Sequence, residues 1–278
     1  MTDHVHRIGD DEARRIQRFL YILAGGTVAF VVLVLLGLVT ADRWLLFISN
    51  ESERRFIQPY IEWADKYILD EGDLRLQAYV SKLALSVASQ MDVDADLTLE
   101  FRVIKGKTVN AFTTLGGHIY IYEGLVKAAE NENGLTMIIA HEIAHAKNRD
   151  PLLGTGRGML LQLMLSTFSG GAGIDPGSIN AGSELMLYTY SREQEQTADL
   201  QALTALQRRF GHVGGATQVF SMLRASLNDS NNPELLSSHP HLDRRMEYIQ
   251  TMSREQGWMT APTAPYPTQV REIITQSP

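Results

Sequence analysis

A mainly α-helical fold with one small antiparallel β-sheet, preceded by a single membrane-spanning helix, is what this sequence predicts. Three observations carry the prediction. An uncharged apolar run of bilayer length lies near the N-terminus, apolar residues recur at helical spacing through most of the remaining chain, and strand-like alternation is confined to about residues 97–122. The 278 residues are 44% hydrophobic and 21% charged, ordinary values for a folded chain long enough to bury a core. A net charge of −7 without any Lys/Arg cluster argues against a nucleic-acid partner, which needs a concentrated positive field. There is no cysteine, so any metal must be held by histidines and carboxylates.

In chain order, residues 1–18 read as a polar cytoplasmic tail. Residues 19–41, FLYILAGGTVAFVVLVLLGLVTA, hold no charge over 23 positions, enough to cross a bilayer as a helix. Arg14, Arg15 and Arg18 precede the run, and a positive flank stays in the cytoplasm. That predicts a membrane anchor with everything after Ala41 on the far side. Tyr21 and Trp44 suit the interfacial aromatic belts. A cleaved signal peptide would use Val39-Thr40-Ala41, but the run exceeds a normal h-region. A buried core helix fits less well, because the run is apolar on every face.

Residues 42–258 form the expected folded domain. Helical spacing marks 51–66 and 74–90; LTLEFRVI, TVNAFTT and HIYIY read as a three-stranded meander with turns at Lys105-Gly106-Lys107 and Leu115-Gly116-Gly117. The edge of HIYIY is a candidate for pairing with an extended substrate. His118, at its head, reads as a surface residue, and His212 as part of a helix end. Residues 159–168 are apolar but too short to cross a bilayer; they read as a packed helix followed by a lid, or as an interfacial segment. Residues 169–182 read as a Gly/Ser/Pro loop. Residues 259–278 contain four prolines and read as an extended strap or as disordered.

The chemistry lies in ENGLTMIIAHEIAHAKNRDP. Leu135, Ile138, Ile139, Ala140, Ile143 and Ala144 mark a buried helix that stops near Asp150, ahead of Pro151. His141 and His145 are four apart, so both imidazoles leave one side of that helix and can share an ion. Glu142, rotated by one residue, can reach the water that such an ion activates and serve as general base. This H-E-x-x-H pattern is the zinc-protease signature. Burying these side chains without a partner would cost several kcal/mol. A catalytic zinc needs a third protein ligand. A metzincin would carry glycine at 148 and histidine at 151, where this chain has Asn148 and Pro151, so the third ligand should be a carboxylate. Glu195 is favoured, with Asp199 one turn on as acceptor for a ligand imidazole; Glu193 and Glu184 are rivals.

HEIAH, SREQEQTAD beginning at Ser191, SSHPHLDRRM beginning at Ser237 and NAFTTLGGHIYIYEGLV beginning at Asn110 together resemble the HtpX and CAAX prenyl protease group of membrane-associated zinc metallopeptidases, over about residues 70–255. The resemblance implies a zincin-like (gluzincin) domain with one zinc ion per chain. It makes Glu195 the third ligand, Asp199 the acid behind it, and places His239 and Arg245 near the cleft. Most members have several spanning helices and this chain shows one, as in the single-anchor, exported members. The implied activity is endopeptidase cleavage of protein substrates, among them misfolded envelope proteins. His239 or Arg245 is expected to assist the oxyanion. Alternatively Arg245 pairs with a buried carboxylate, and His239 either caps its loop or blocks the metal in a resting state. The rival reading is a zinc-containing, chaperone-like adaptor with little proteolysis.

Overall fold

The structure is a computed structural model, describing residues 2–156, 158, 189–227, 239 and 241–276. Residues 159–182, with the expected short apolar segment and loop, and Glu184 lie outside the described residues. The chain divides into two compact units, 1–45 with 156–174 and 46–155 with 175–278. In the first, α1 (Thr2–Leu45) takes in the expected polar tail as well as the apolar run. Its segment from Glu12 to Gly37 is long and apolar enough to cross a membrane, and none of its residues is buried.

The second unit begins with α2 (Asn50–Tyr67) and α3 (Leu74–Ala88), each opened by a side-chain cap. Ser49 accepts from the Ser52 amide, and Asp73 from the Arg75 and Leu76 amides, which satisfies donors that a helix start leaves open. Strands β1 (Glu100–Ile104), β2 (Ala111–Thr113) and β3 (His118–Tyr122) come next, with a 3-10 turn at Leu115–Gly117 between the last two. The sheet is mixed, in the order β1-β3-β2, and the antiparallel meander expected from sequence is corrected here. β2 and β3 pair antiparallel across the turn, Thr113 opposite Ile119, whereas β1 lies parallel to β3 with Glu100 opposite His118. Two chain reversals separate β1 from β3, so placing β3 in the middle makes that pair parallel. Alternation reveals strands but not their order.

Two further readings change with this topology. HIYIY is the central strand, so neither of its edges is open to a substrate. His118 is buried, because the central strand is covered on both faces. Its Nδ1 lies 3.4 Å from Oε2 of Glu100.

Helix α4 (Glu123–Ala128) leads into α5 (Glu132–Lys147), capped by Asn131, which accepts from the Gly134 amide. Helix α5 is the core of the unit. Leu135, Met137, Ile139 and Ile143 are fully buried, in one cluster with Ile119 and Ile121 of β3, Val80 and Val87 of α3, and α6 (Arg192–Phe210). The neighbouring faces of α5 and α6 carry buried alanines, Ala140 and Ala144 on one and Ala198, Ala202 and Ala205 on the other, which permit close packing. Arg149 adopts a left-handed conformation, φ 58°, and ends α5. Pro151 then stands in the first turn of a new helical stretch, where its missing N–H costs nothing.

Gly211 closes α6 at φ 73°, and Nδ1 of His212 accepts from the Gly214 amide in the next turn. Then come α7 (Ala216–Leu227), α8 (Leu242–Glu255) and, past the prolines, α9 (Thr268–Gln276). The proline-rich segment before α9 is an extended strap: the Ala264 carbonyl accepts from the Glu132 amide, the Tyr266 hydroxyl donates to the Val126 carbonyl, and Val270 and Ile273 bury the helix beyond.

Burial pushes His118 down from its ordinary 6.5 to about 4; Glu100 opposes the shift, and Arg54 and Arg102 add to it. The folded state thus holds His118 neutral, while the unfolded chain takes up a proton below pH 6.5, so stability falls as pH drops from 6.5 toward 4. From His118 alone, the loss between pH 7 and pH 5 is about 2 kcal/mol. Urea unfolding of wild type and His118→Gln at the two pH values checks this: the variant loses less, and equal losses refute it.

Candidate metal centre

Helix α5 carries His141 and His145 on one side, one turn apart, both buried, with their Nε2 atoms 3.0 Å from each other. The second half of the centre comes from α6, whose start is fixed by a capping box. The Ser191 hydroxyl accepts from the Gln194 amide, and the Gln194 side chain accepts from the Ser191 amide. That start puts Glu195 in the first turn, with Oε2 3.5 Å from Nε2 of His141 and Oε1 3.6 Å from Nε2 of His145. His239, just before α8, places Nδ1 2.8 Å from Oε1 of Glu195 and 3.4 Å from Nε2 of His141. One potential ligand atom from each of His141, His145, Glu195 and His239 lies within 4.8 Å of the others, and all four residues are buried.

The surrounding charge suits a metal. Four buried carboxylates, Glu142, Asp150, Glu195 and Asp199, gather here, and Arg245 is the buried cation that answers them among the described residues. A divalent cation would offset most of the remaining negative charge. Three imidazole nitrogens and a carboxylate oxygen, without sulfur, form a donor set that such an ion accepts.

Each α5 imidazole has its own carboxylate on the far nitrogen. Nδ1 of His141 lies 3.0 Å from Oδ1 of Asp199, and Nδ1 of His145 lies 2.7 Å from Oδ2 of Asp150. Asp150 in turn accepts from Nε2 of Gln194 at 2.8 Å, and the ring of Tyr190 stacks on His145 at 3.8 Å between centroids. These contacts fix the tautomer that turns both Nε2 atoms inward. The sequence pointed to Asp199 but not to Asp150. Asp150 lies beyond the helix end, and only the left-handed turn at Arg149 brings it back. Glu193, a rival ligand, is exposed on α6 and stands outside the group.

Glu142 is buried between the centre and β2. The hydroxyl of Thr113 is 2.7 Å from its Oε2 and 2.9 Å from its carbonyl oxygen, and Nε2 of His239 is 3.5 Å from its Oε1. No sequence pattern had singled out Thr113; it reaches Glu142 only because β2 lies against α5. Beside Glu142 is a cavity of about 30 Å³ walled by Ala111, Leu125, Met137, Ile138, Phe220 and Leu242.

Arg245 grips Asp199 with two donors, Nε at 2.9 Å and Nη2 at 2.6 Å, and reaches Oε2 of Glu195 at 2.6 Å with Nη1. Its guanidinium lies over the ring of Phe220. Its Nη2 also lies 3.2 Å from Nε2 of His141, and the residue borders the cavity beside Glu142. Burial pushes Asp199 and Glu195 up, but the charges beside them, Arg245 foremost for Asp199 and His239 with Arg245 for Glu195, hold both below the usual carboxylate range.

Asp150→Asn exchanges the acceptor behind His145 for a neutral amide. Zinc affinity measured by competition with a chelator should fall roughly 10–100-fold; an unchanged affinity would deny Asp150 that role.

The model of peptidase family M48 matches residues 74–253. Among curated relatives, the beta-barrel assembly-enhancing protease of Escherichia coli (strain K12) is 27% identical over 189 residues, 63% of this chain and 38% of that protein. The mitochondrial metalloendopeptidase OMA1 of Schizosaccharomyces pombe is 25% identical over 252 residues, 85% of this chain and 72% of the relative. Metalloprotease LoiP of Escherichia coli (strain K12) is 26% identical over 163 residues, 54% of this chain and 61% of LoiP. The aligned region thus spans 38% of the first relative's length and well over half of the other two. With the family's model covering the metal helix, the Glu195 helix and the Arg245 helix together, the chain belongs to peptidase family M48.

Proposed function

We propose that the chain is a zinc-dependent endopeptidase, anchored in the inner membrane by α1, with its catalytic unit on the periplasmic side. Its substrates on this reading are proteins, misfolded or misassembled envelope proteins among them. The observation that carries the reading is the convergence of His141, His145 and Glu195 on one point with Glu142 beside it. Within the family, the four sequence motifs favour the single-anchor, exported relatives of the HtpX and CAAX prenyl protease group.

His141, His145 and Glu195 would hold the zinc. When bound, zinc supplies Lewis-acid polarisation of the scissile carbonyl and a water acidic enough to attack near neutral pH. Glu142 is the base placed to take a proton from an attacking water and to pass it to the departing amine. Thr113 anchors one carboxylate oxygen, which leaves Oε1 directed toward the His239 side. Asp150 and Asp199 orient the imidazoles, and Arg245 keeps Asp199 and Glu195 ionised. The far edge of β1 is bonded to residues 70–72, so among the described residues β2 is the sheet edge beside Glu142; its residues are buried, and an extended substrate would pair with it only once that edge is uncovered.

His239 stands where a fourth donor would stand, against Glu195 and His141. This favours a resting state in which His239 fills the position that water and substrate need, and must withdraw before catalysis. The adaptor reading keeps the metal but gives Glu142 nothing to do.

Glu142→Gln should retain zinc and lose casein cleavage by ~100-fold or more; cleavage equal to wild type refutes the hydrolytic mechanism. His239→Ala should raise the rate if the histidine blocks the centre and lower it if it assists the oxyanion. No change in either direction removes it from the mechanism.

A further inference from the structure

Helix α2 has three distinct sides. Glu53, Ile57, Ile61 and Ala64 are buried, and Glu51, Arg55, Glu62 and Lys66 form an exposed charged side. Between them runs an aromatic stripe, Phe56, Tyr60, Trp63 and Tyr67, at spacings of four, three and four that keep it on one line along the helix. Phe56 is 49%, Trp63 44% and Tyr67 63% exposed. The rings adjoin in pairs, Phe56 with Tyr60 and Trp63 with Tyr67, each at 6.4 Å between centroids. With Tyr60 half-buried and the other three rings exposed, the stripe is the kind of aromatic surface that marks contact with an apolar or amphipathic partner.

The chain itself indicates the partner. Only residues 46–49 separate the end of α1 from the start of α2. Five Cα steps reach at most about 18 Å, so α2 starts close to wherever α1 leaves the bilayer. Those linker residues include Leu46, Phe47 and Ile48, with Phe47 81% exposed, a composition unsuited to a linker in open water. Tyr and Trp prefer the headgroup layer, where the ring body is in apolar surroundings and its polar atom is hydrated. Arg55, paired with Glu51, and Lys66, over the ring of Tyr67, lie on the adjoining side, and stems of their length can reach phosphates.

We propose that α2 is an interfacial helix whose Phe56–Tyr60–Trp63–Tyr67 stripe sits in the headgroup layer of the bilayer that α1 crosses. The proposal rests on the reading of α1 as a membrane anchor. It also ties the membrane to the metal centre. Buried Glu53, on the core side of α2, accepts from Arg149 at 2.6 and 3.1 Å, immediately past the metal helix, and from the Gly116 amide at 2.8 Å. A seated α2 therefore sets the height and tilt of α5 over the lipid surface.

The sequence contains no cysteine, so single-site labelling of the full chain is direct. Phe56→Cys, Trp63→Cys and Tyr67→Cys report the stripe, Glu62→Cys and Lys66→Cys the charged side, and Phe30→Cys the anchor. Each variant that keeps wild-type zinc content is nitroxide-labelled in phosphatidylcholine–phosphatidylglycerol vesicles, and its collisions with oxygen, which concentrates in lipid, are compared with those of a water-soluble nickel chelate. Positions 56, 63 and 67 should favour oxygen, and 62 and 66 the chelate. Chelate access at all five, with position 30 still favouring oxygen, overturns the docking and leaves the anchor standing. Chelate access at position 30 as well overturns the anchor and the docking together. A stripe shielded from both reagents is covered by protein, which also overturns the proposal.

Discussion

Helix α5 must do two things that conflict: fill the centre of the fold and carry two imidazoles and a carboxylate. Leu135, Ile139 and Ile143 serve the first need, His141, Glu142 and His145 the second, and all six are buried within three turns. An unpaired polar group in such a place costs kilocalories, and an unpaired charge more. The structure meets the cost with partners outside the centre for each group: Asp199 behind His141, Asp150 behind His145 and Thr113 on Glu142. Asp199 is itself a buried charge, and Arg245 answers it with two donors. The polar network around α5 is thus required by burial, whatever it contributes to chemistry. Removing Arg245 would leave an uncompensated carboxylate as well as a disturbed site.

Sequence revealed those parts of this arrangement that lie within one helix. The i, i+4 spacing of His141 and His145 is a property of α5 alone and can be read from the sequence; Glu195 with Asp199 is likewise one turn of α6, but spacing leaves Glu193 and Glu184 as rivals, and it is the family resemblance that singles the pair out. Asp150 belongs to the same local stretch, yet its return depends on the single left-handed residue Arg149, a conformation that an arginine does not advertise. Thr113 and Glu142 are 29 positions apart and meet through the packing of β2 on α5. Strand order failed for a related reason: the alternation in β1 and β3 is the same whether they run parallel or antiparallel. Nothing in the residues around His118 signals its burial, which comes only from the central place of β3.

The end of α2 that lies over the sheet shows how little separates positioning from stability here. Glu53 is buried and takes three hydrogen bonds, two from Arg149 and one from Gly116. Gly116 has φ 73°, and a Cβ there would meet Cα of Arg54 at 3.0 Å, so both conformation and space ask for glycine. The turn that joins β2 to β3 is therefore pinned by α2, and the same carboxylate pins the residue that ends α5. Thr113, three positions before Gly116, inherits its place against Glu142 from this arrangement.

Helix ends complete the electrostatics. His145 lies in the last turn of α5, where the carbonyl end of the helix carries partial negative charge, and Glu195 lies in the first turn of α6, where the amide end carries partial positive charge. The first favours a cation held among the imidazoles; the second favours the ionised carboxylate needed to hold it. Both effects fade within a turn, so they depend on where each helix begins and ends. Lengthening α5 past Lys147 would carry Asp150 away from His145, and shifting the Ser191–Gln194 cap by one residue would rotate Glu195 about 100° off the centre. The backbone signals that set these ends, the left-handed Arg149 and the capping box at Ser191, are hence as much a part of the candidate metal centre as the side chains that would hold the ion.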